Sequence, residues 1–394
     1  MSVSDNGPGP EEPLRQPLVA SDHVPWPKSQ QPELIFLAEG AANILYRVHP
    51  NLTVSLEHAP SNKVPQAELG LLRLRKVPPR ESEYNEVRAG HELWRLHIAP
   101  HFAKENVVQQ CVIEIPPSVF QAANLSLQQD ESRGKRLLNR CGTFLDENQK
   151  AGLLVTDMTV TDAEKKSSDG LWALEMKPKW LAQSPSAPAG ATRCRNCALR
   201  MLRASERQQS SEGFGSPANG VHSPISTQTS PPKPSENSAG EIPKRAWCPL
   251  RLVHGDIAAI RQVLTILAHQ QGQCISDEGL DRTAIHLSST GIFNRLRDAQ
   301  VKLDPNGASV DQEASIDLRS AMTLRDCSLL MKVPKNTGKP IEARFGDLDL
   351  KSGEKLGKWR QIEDRLIQGG WYTGTGKAIG EAEVCLLAPV EGRI

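Results

Sequence analysis

The chain has 394 residues, 47 Lys+Arg against 46 Asp+Glu for a formal net charge of +1, and 38% apolar residues. Near neutrality excludes a generic nucleic-acid coat or a polybasic membrane binder, either of which carries an excess of one sign. The apolar share falls below the roughly 45–50% of globular domains, so part of the chain is expected to stay unfolded, and the length suits about two to three domains or one two-lobed unit.

Residues 1–32, rich in Pro, Ser, Asp and Glu, hold no apolar signal segment and read as a disordered tail. No stretch approaches the roughly 18 consecutive apolar residues of a membrane span. With eight cysteines, of which only Cys194 and Cys197 are close together, the expectation is a reduced protein of nucleus or cytoplasm. Residues 34–38 and 44–48 form two apolar runs around a small turn, a strand–turn–strand pattern. Residues 71–75 alternate like a strand, and residues 82–99 carry Val87, Leu93, Leu96 and Ile98 at helical spacing.

Across residues 205–240, Ser, Pro and Gly fill half the positions and the large apolar residues are Phe214, Val221 and Ile225. Such a segment cannot bury enough surface to offset ordering entropy, and it reads as a disordered insertion inside a domain. Beyond it, Asp256 can cap a helix whose residues Ile257, Ile260, Val263, Leu264 and Leu267 follow a 3.6 period. Leu356, Trp359, Ile362 and Leu366 make another such face. A β-rich first third followed by mixed helix and strand predicts an α+β fold.

Several motifs carry chemistry. The turn from Ala38 to Asn43 is built of small residues that let backbone N–H groups approach phosphate, although small residues also suit an ordinary hairpin. A Walker loop is excluded, because Ala378 follows Gly376-Lys377 and Trp371 stands where glycine is needed. Arg73 could set a cation over nucleotide phosphates, as kinases do with a lysine on their third strand, or simply face solvent. In Glu175-Met176-Lys177-Pro178-Lys179, an extended backbone would place residues 175, 177 and 179 on one face. Two lysines side by side repel unless a multiply charged anion lies between them; the bland reading is a solvated pair beside a turn.

Cys194-Arg195-Asn196-Cys197 holds half the ligands of a zinc site, with Cys248 and His254 across the insertion as candidates to complete it. Arg193, Arg195, Arg200 and Arg203 make a local cationic cluster. Arg325-Asp326-Cys327-Ser328, followed by Asp347-Leu348-Asp349-Leu350-Lys351, suits phosphoryl transfer. One carboxylate there positions or accepts the proton of a substrate hydroxyl, and another holds Mg²⁺. There is no His-Arg-Asp loop and no Asp-Phe-Gly, so protein-kinase membership is not supported.

In this order the motifs resemble the inositol-pentakisphosphate 2-kinase family in its filamentous-fungal form. The carriers are Glu39-Gly40-Ala41-Ala42-Asn43, Leu72-Arg73-Leu74-Arg75-Lys76, Glu175-Met176-Lys177-Pro178-Lys179, the Cys194 and Cys197 pair, Cys248-Pro249-Leu250, Arg325-Asp326-Cys327-Ser328 and Asp347-Leu348-Asp349-Leu350-Lys351. The resemblance implies a two-lobed kinase-like fold. It has an N-terminal nucleotide-binding lobe over 33–160, a C-terminal inositol-phosphate-binding lobe over 161–204 and 241–394, and the insertion over 205–240. It further implies ATP- and Mg²⁺-dependent phosphorylation of the 2-hydroxyl of inositol 1,3,4,5,6-pentakisphosphate to inositol hexakisphosphate (phytate). The protein would be a monomer with a small-molecule substrate and neither nucleic-acid nor membrane partners.

Carried over by position, the resemblance puts Gly40, Asn43, Arg73, Asp157 and Glu175 on the nucleotide. Lys177, Lys179, Lys351, Lys355 and an arginine of the 133–136 segment, taken as Arg136, fall on substrate phosphates. Asp326 and Asp347 are the catalytic acids, with Asp347 and Asp349 on Mg²⁺, and Cys194 and Cys197 are the start of a structural Zn²⁺ site. Departures are Ala41 for a second glycine, Trp359 for a tyrosine, Leu199 for a histidine, and Gln270-Gln271-Gly272-Gln273 for a Gln-Asn-Asn-x-Arg segment. They motivate two alternatives: a catalytically degenerate inositol-phosphate-binding protein, or a kinase acting on another inositol position.

Overall fold

A computed structural model describes residues 23–24, 26, 33–49, 69–77, 87–212, 247–308, 313–374 and 385–387. The chain divides into two compact units, one of residues 1–91 and 109–157 and the other of 92–108 and 158–394. The expected lobe boundary after residue 160 thus falls after 157, and residues 92–108 go to the second unit. The reason is packing: Trp94, Ile98 and Val107 belong to the large core of that unit, and the Val108 N–H donates to the Phe345 carbonyl at 2.8 Å.

The first unit is a six-stranded sheet in the order β1-β5-β6-β4-β3-β2, formed by β1 (His23–Val24), β2 (Glu33–Glu39), β3 (Asn43–His49), β4 (Leu69–Arg75), β5 (Gln110–Glu114) and β6 (Ala151–Thr156). The hairpin of β2 and β3 and the β4 strand stand where the apolar runs predict them. Alternation explains them: Ile44, Tyr46 and Val48 are buried and their neighbours are not, as are Leu72 and Leu74 around Arg73. Helix α2 (Pro117–Ser132), started by Pro116 and Pro117, adds Phe120, Ala123 and Leu127 to the core of Ile44, Tyr46, Leu72, Leu74, Ile113 and Leu154. The predicted tail is partly ordered, since β1 pairs in parallel with β5 and Trp26 packs on this core; the rest of 1–32 lies outside the described residues.

Gly152 in β6 marks a close approach. A Cβ there would lie 2.6 Å from Ile115 Cδ1, 2.8 Å from Leu74 Cδ2 and 3.2 Å from the Arg73 carbonyl oxygen. Gly152→Ala is expected to cost about 1–3 kcal/mol by overpacking, read from denaturant unfolding. An unchanged midpoint would show that the two side-chain ends give way freely.

The second unit centres on an antiparallel sheet of β7 (Leu171–Met176), β8 (Ser328–Pro334) and β9 (Glu342–Gly346), in that order. Its helices are α3 (Asp162–Lys166), α4 (Arg195–Glu212), α5 (Ile257–Gln270), α6 (Asp277–Ser289), α7 (Ile292–Leu303), α8 (Ile316–Leu324) and α9 (Leu356–Gln368); α1 (Val87–His97) spans the division between units. Residues 82–86 of the longer predicted helix lie outside the described residues. Asp256, Ser276 and Ser315 cap α5, α6 and α8 by accepting from Ala258, Gly279 and Leu318 N–H groups. Ile260, Val263, Leu264 and Leu267 of α5 are buried as the period predicts, and so are Leu356, Trp359 and Leu366 of α9, whereas Ile257 in the first turn of α5 is exposed and Ile362 only half-buried.

One boundary is corrected. Residues 205–212, expected in the insertion, extend α4, with Leu202 and Ser205 buried and Leu202 against Leu366, Trp371 and Tyr372. The Glu-Arg-Gln-Gln run there favours helix and the first proline comes at Pro217, so the Ser count misleads. The remainder, 213–240, lies outside the described residues. No helix among the described residues is long and apolar enough to cross a membrane.

Candidate functional site

The second unit gathers its chemistry where three segments leave the sheet and α8. Strand β7 stops at Met176, before Pro178, which lacks an N–H for a ladder. Lys179 then takes a left-handed backbone at φ 62°, as Asp347 does at 56° after β9. Alternation therefore does not carry residues 175, 177 and 179 along one face, as the extended reading expects. Yet the two lysines converge with Lys351. Lys179 Nζ donates to Asp326 Oδ1 at 2.9 Å, and Lys351 Nζ donates to Asp326 Oδ2 at 2.8 Å. Lys177 Nζ donates to Asp347 Oδ2 at 2.8 Å and to the Asp326 carbonyl at 3.3 Å.

Each segment is held from behind. The Lys351 N–H donates to Thr323 Oγ1 at 3.0 Å, and Arg319 Nε donates to the Lys351 carbonyl at 2.8 Å, so α8 fixes the loop after β9. Glu175 accepts from Ser328 Oγ at 2.7 Å. Its own backbone N–H and carbonyl are both clasped by the Gln271 amide, at 3.0 and 2.6 Å. Trp180 lies under two guanidinium groups, Arg195 at 4.2 Å and Arg325 at 3.7 Å from its ring centre. Both arginines are buried with acids, Arg195 with Glu363 at 2.8 Å and Arg325 with Asp304.

The three lysines, Asp326, Trp180 and the two arginines line a cavity of about 600 Å³. Its cations are Lys177, Lys179, Arg195, Arg200, Arg203, Arg325, Lys351, Lys355 and Lys358, against Asp326 as the lining acid; Trp180, Trp247 and Trp359 supply apolar walls. Burial would raise the Asp326 carboxyl, but hydrogen bonds from Lys179 and Lys351 hold it well below the usual carboxylate range. Burial would lower Lys177, and its bond to Asp347 outweighs that and raises it. Lys355 is lowered by burial and by neighbouring Lys351. An anion entering the cavity would reverse that cost.

In the first unit the small-residue turn is a tight one. The Gly40 N–H donates to the Asn43 carbonyl at 2.8 Å, and the Lys76 N–H donates to the Ala42 carbonyl at 2.9 Å. With its amide oriented to satisfy its neighbours, Asn43 accepts from Arg73 Nη2 at 2.8 Å. Asp157 accepts from Arg47 at 3.4 Å.

Arg136 is corrected. Its guanidinium is buried and fully engaged, with Nη2 on Glu39 at 2.7 Å and on the Thr143 carbonyl at 2.7 Å, Nη1 on Glu131 at 2.6 Å, and Nε on Glu39 at 3.3 Å. It anchors Glu39 together with Lys76 Nζ at 2.8 Å rather than presenting a cation to a ligand.

Cys194 and Cys197 meet Cys248 and Cys385, all buried, with sulfurs within 4.8 Å of one another. The completing pair is therefore Cys248 with Cys385, and His254 is not in the set. Cys385, far along the chain and isolated in sequence, gave no spacing signal. Of the predicted arginine cluster, Arg195, Arg200 and Arg203 reach the cavity, whereas Arg193 donates to the Trp371 carbonyl. Gln270 and Leu199 also line it. Sequence reasoning missed Trp180 and Trp247, because isolated tryptophans carry no motif.

Carboxylates held among lysines beside a cavity of this charge suit the chemistry of phosphoryl transfer. A family model described as inositol-pentakisphosphate 2-kinase matches residues 36–365. A relative from Yarrowia lipolytica (strain CLIB 122 / E 150), named inositol-pentakisphosphate 2-kinase, is 27% identical over 248 residues, covering 59% of this chain and 68% of the relative. The chain belongs to the inositol-pentakisphosphate 2-kinase family.

Proposed function

We propose that the chain transfers the γ-phosphate of ATP to the 2-hydroxyl of inositol 1,3,4,5,6-pentakisphosphate, giving inositol hexakisphosphate. The observation that carries this reading is Asp326, with one lysine on each carboxylate oxygen, at the wall of the cationic cavity. A substrate phosphate carries about −1.5 to −2 charge near neutrality. Substrate phosphates draw Lys179, Lys351 and Lys177 toward themselves through charge-assisted bonds. Asp326, relieved of those donors, recovers basicity and accepts the proton of the attacking hydroxyl. Lys355 binds a further phosphate, which restores the charge that burial disfavours.

Asp347 and Asp349 offer the oxygen ligands Mg²⁺ prefers, and the ion would neutralise charge on the transferring phosphoryl group. Gly40, Asn43, Arg73 and Asp157 of the first unit are proposed to bind the nucleotide, as is Glu175 of the second. The test is incubation with ATP, Mg²⁺ and inositol 1,3,4,5,6-pentakisphosphate, with the product's phosphorylated position read by NMR. Inositol hexakisphosphate is expected. Tight ligand binding without ATP consumption would instead mark a binding protein.

The four cysteines suit structural Zn²⁺. The Cys194–Cys248 and Cys248–Cys385 sulfur separations are 3.7 and 3.8 Å. A tetrahedron with Zn–S near about 2.3 Å has edges of about 3.8 Å. None of the eight cysteines is in a disulfide. Zinc there would pin the start of α4, and with it Arg195 at the cavity. About one equivalent of zinc per chain is expected by elemental analysis, falling sharply in Cys385→Ser together with the melting temperature. Full stability of zinc-free protein would remove the ion from the fold.

A further inference from the structure

Gln300 of α7 is 1% exposed, and its neighbours Leu296 and Ala299 are in the apolar core. A buried amide is destabilising unless its donors and acceptor are met. Here all of them are met by backbone. Gln300 Oε1 accepts from the Leu181 N–H at 3.0 Å, while Nε2 donates to the Lys179 carbonyl at 2.9 Å and to the Leu324 carbonyl at 3.1 Å. Its own carbonyl accepts from Arg325 Nη2 at 3.3 Å. The amide orientation follows from these partners, because the reverse would set oxygen against two carbonyls.

The partners fall in two segments. One is 179–181, which carries Lys179; the other is 324–325, which leads directly into Asp326. The two hydrogens of a single NH₂ group divide between them. Lys179 also sits at φ 62°, a backbone state that a residue with a Cβ occupies only when its surroundings impose it.

We propose that Gln300 is a positioning residue: through the backbone of Lys179, Leu181 and Leu324 it sets the distance between Lys179 and Asp326. The inference rests on the kinase reading above and deepens it. Gln300 touches no substrate. It fixes the geometry of a lysine and an acid that do, and displacements near 1 Å at such groups cost about a hundredfold in rate. Glutamine is suited to this place and its relatives are not. Glutamate would bury a charge against two carbonyls, methionine would strip the Leu181 N–H and the Lys179 carbonyl of this partner and leave the Leu324 carbonyl with Cys327 Sγ alone, and asparagine is one methylene too short to span both segments.

The test uses the full chain as Gln300→Met, in steady-state kinetics against inositol pentakisphosphate and ATP. Expected are a drop of about tenfold to a hundredfold in kcat/KM for the inositol phosphate, a raised KM for it, and an unchanged KM for ATP. In a Lys179→Met background the same change should add little, because the lysine it positions is already gone. A merely structural role would lower the active fraction and leave both KM values unmoved. Wild-type KM with only a lower melting temperature would overturn the proposal, as would full additivity with Lys179→Met.

Gln300→Asn replaces Gln300→Met if the latter fails to fold, with the same pattern expected at smaller size. If the wild-type chain turns over no inositol phosphate, the kinase reading falls by itself. The positioning role is then read by calorimetry with inositol hexakisphosphate. Binding weakened about tenfold or more in the variant supports it, and equal binding overturns it.

Discussion

Asp326→Asn is expected to lower kcat for inositol pentakisphosphate by about 10²–10⁴-fold, the range of a positioned general base. Asparagine keeps the size of the side chain but cannot take a proton. Its NH₂ group must also face Lys179 or Lys351, which now meet no carboxylate. Those lysines stay available to phosphate, so KM for the inositol phosphate should hold steady or fall. That split separates loss of the base from loss of binding. Lys351→Met should do the reverse and raise KM. Wild-type turnover by Asp326→Asn would remove the residue from the chemistry, and another acid would have to be sought.

Asp304→Ala carries the largest expected effect on stability. Asp304 and Arg325 have side chains only 3% and 4% exposed, and Asp304 also accepts from the Gly307 N–H at 2.8 Å. Burial lowers the Arg325 guanidinium, and the neighbouring Asp304 carboxylate opposes that effect. Removing one partner of a buried pair leaves an uncompensated charge and costs about 3–5 kcal/mol. The cost should appear as a lower denaturant midpoint at unchanged m-value. Asp304→Leu combined with Arg325→Met should recover most of the loss, since a well-packed apolar pair can replace a buried ionic one. A single variant within about 1 kcal/mol of wild type would mean that water reaches Arg325.

What could be read from the sequence was what is local. The β2–β3 hairpin, β4, the Asp256-capped helix α5 and the apolar face of α9 follow from alternation, period and cap residues, each decided within a few positions. Asp326, Lys177, Lys179 and Lys351 came through resemblance, and the structure brings them together. What stayed hidden depends on partners far along the chain. Cys385 joins Cys194 across 191 positions, and Gln271 clasps Glu175 across 96. Gln300 reaches Lys179 across 121. None of these spacings leaves a trace in sequence. Arg136 failed for a related reason: a basic run looks the same whether its arginine meets solvent or two acids of its own fold, and here Glu39 and Glu131 take it. Residues 205–212 show composition overruled by helix propensity and one apolar contact at Leu202.

The pairing of Lys177, Lys179 and Lys351 with Asp347 and Asp326 also bears on what the cavity refuses. These three lysines already hold two carboxylates as counter-ions, so they are no open trap for whatever anion is abundant. Free inorganic phosphate could displace one carboxylate at a time, and each displacement would strand an acid among its neighbours. On the proposed reading, a ligand that presents several phosphates in fixed array would engage all three lysines in a single event and leave Asp326 to the hydroxyl. Discrimination against small phosphates would thus come from a threshold of simultaneous contacts, with no need for a wall shaped to exclude them.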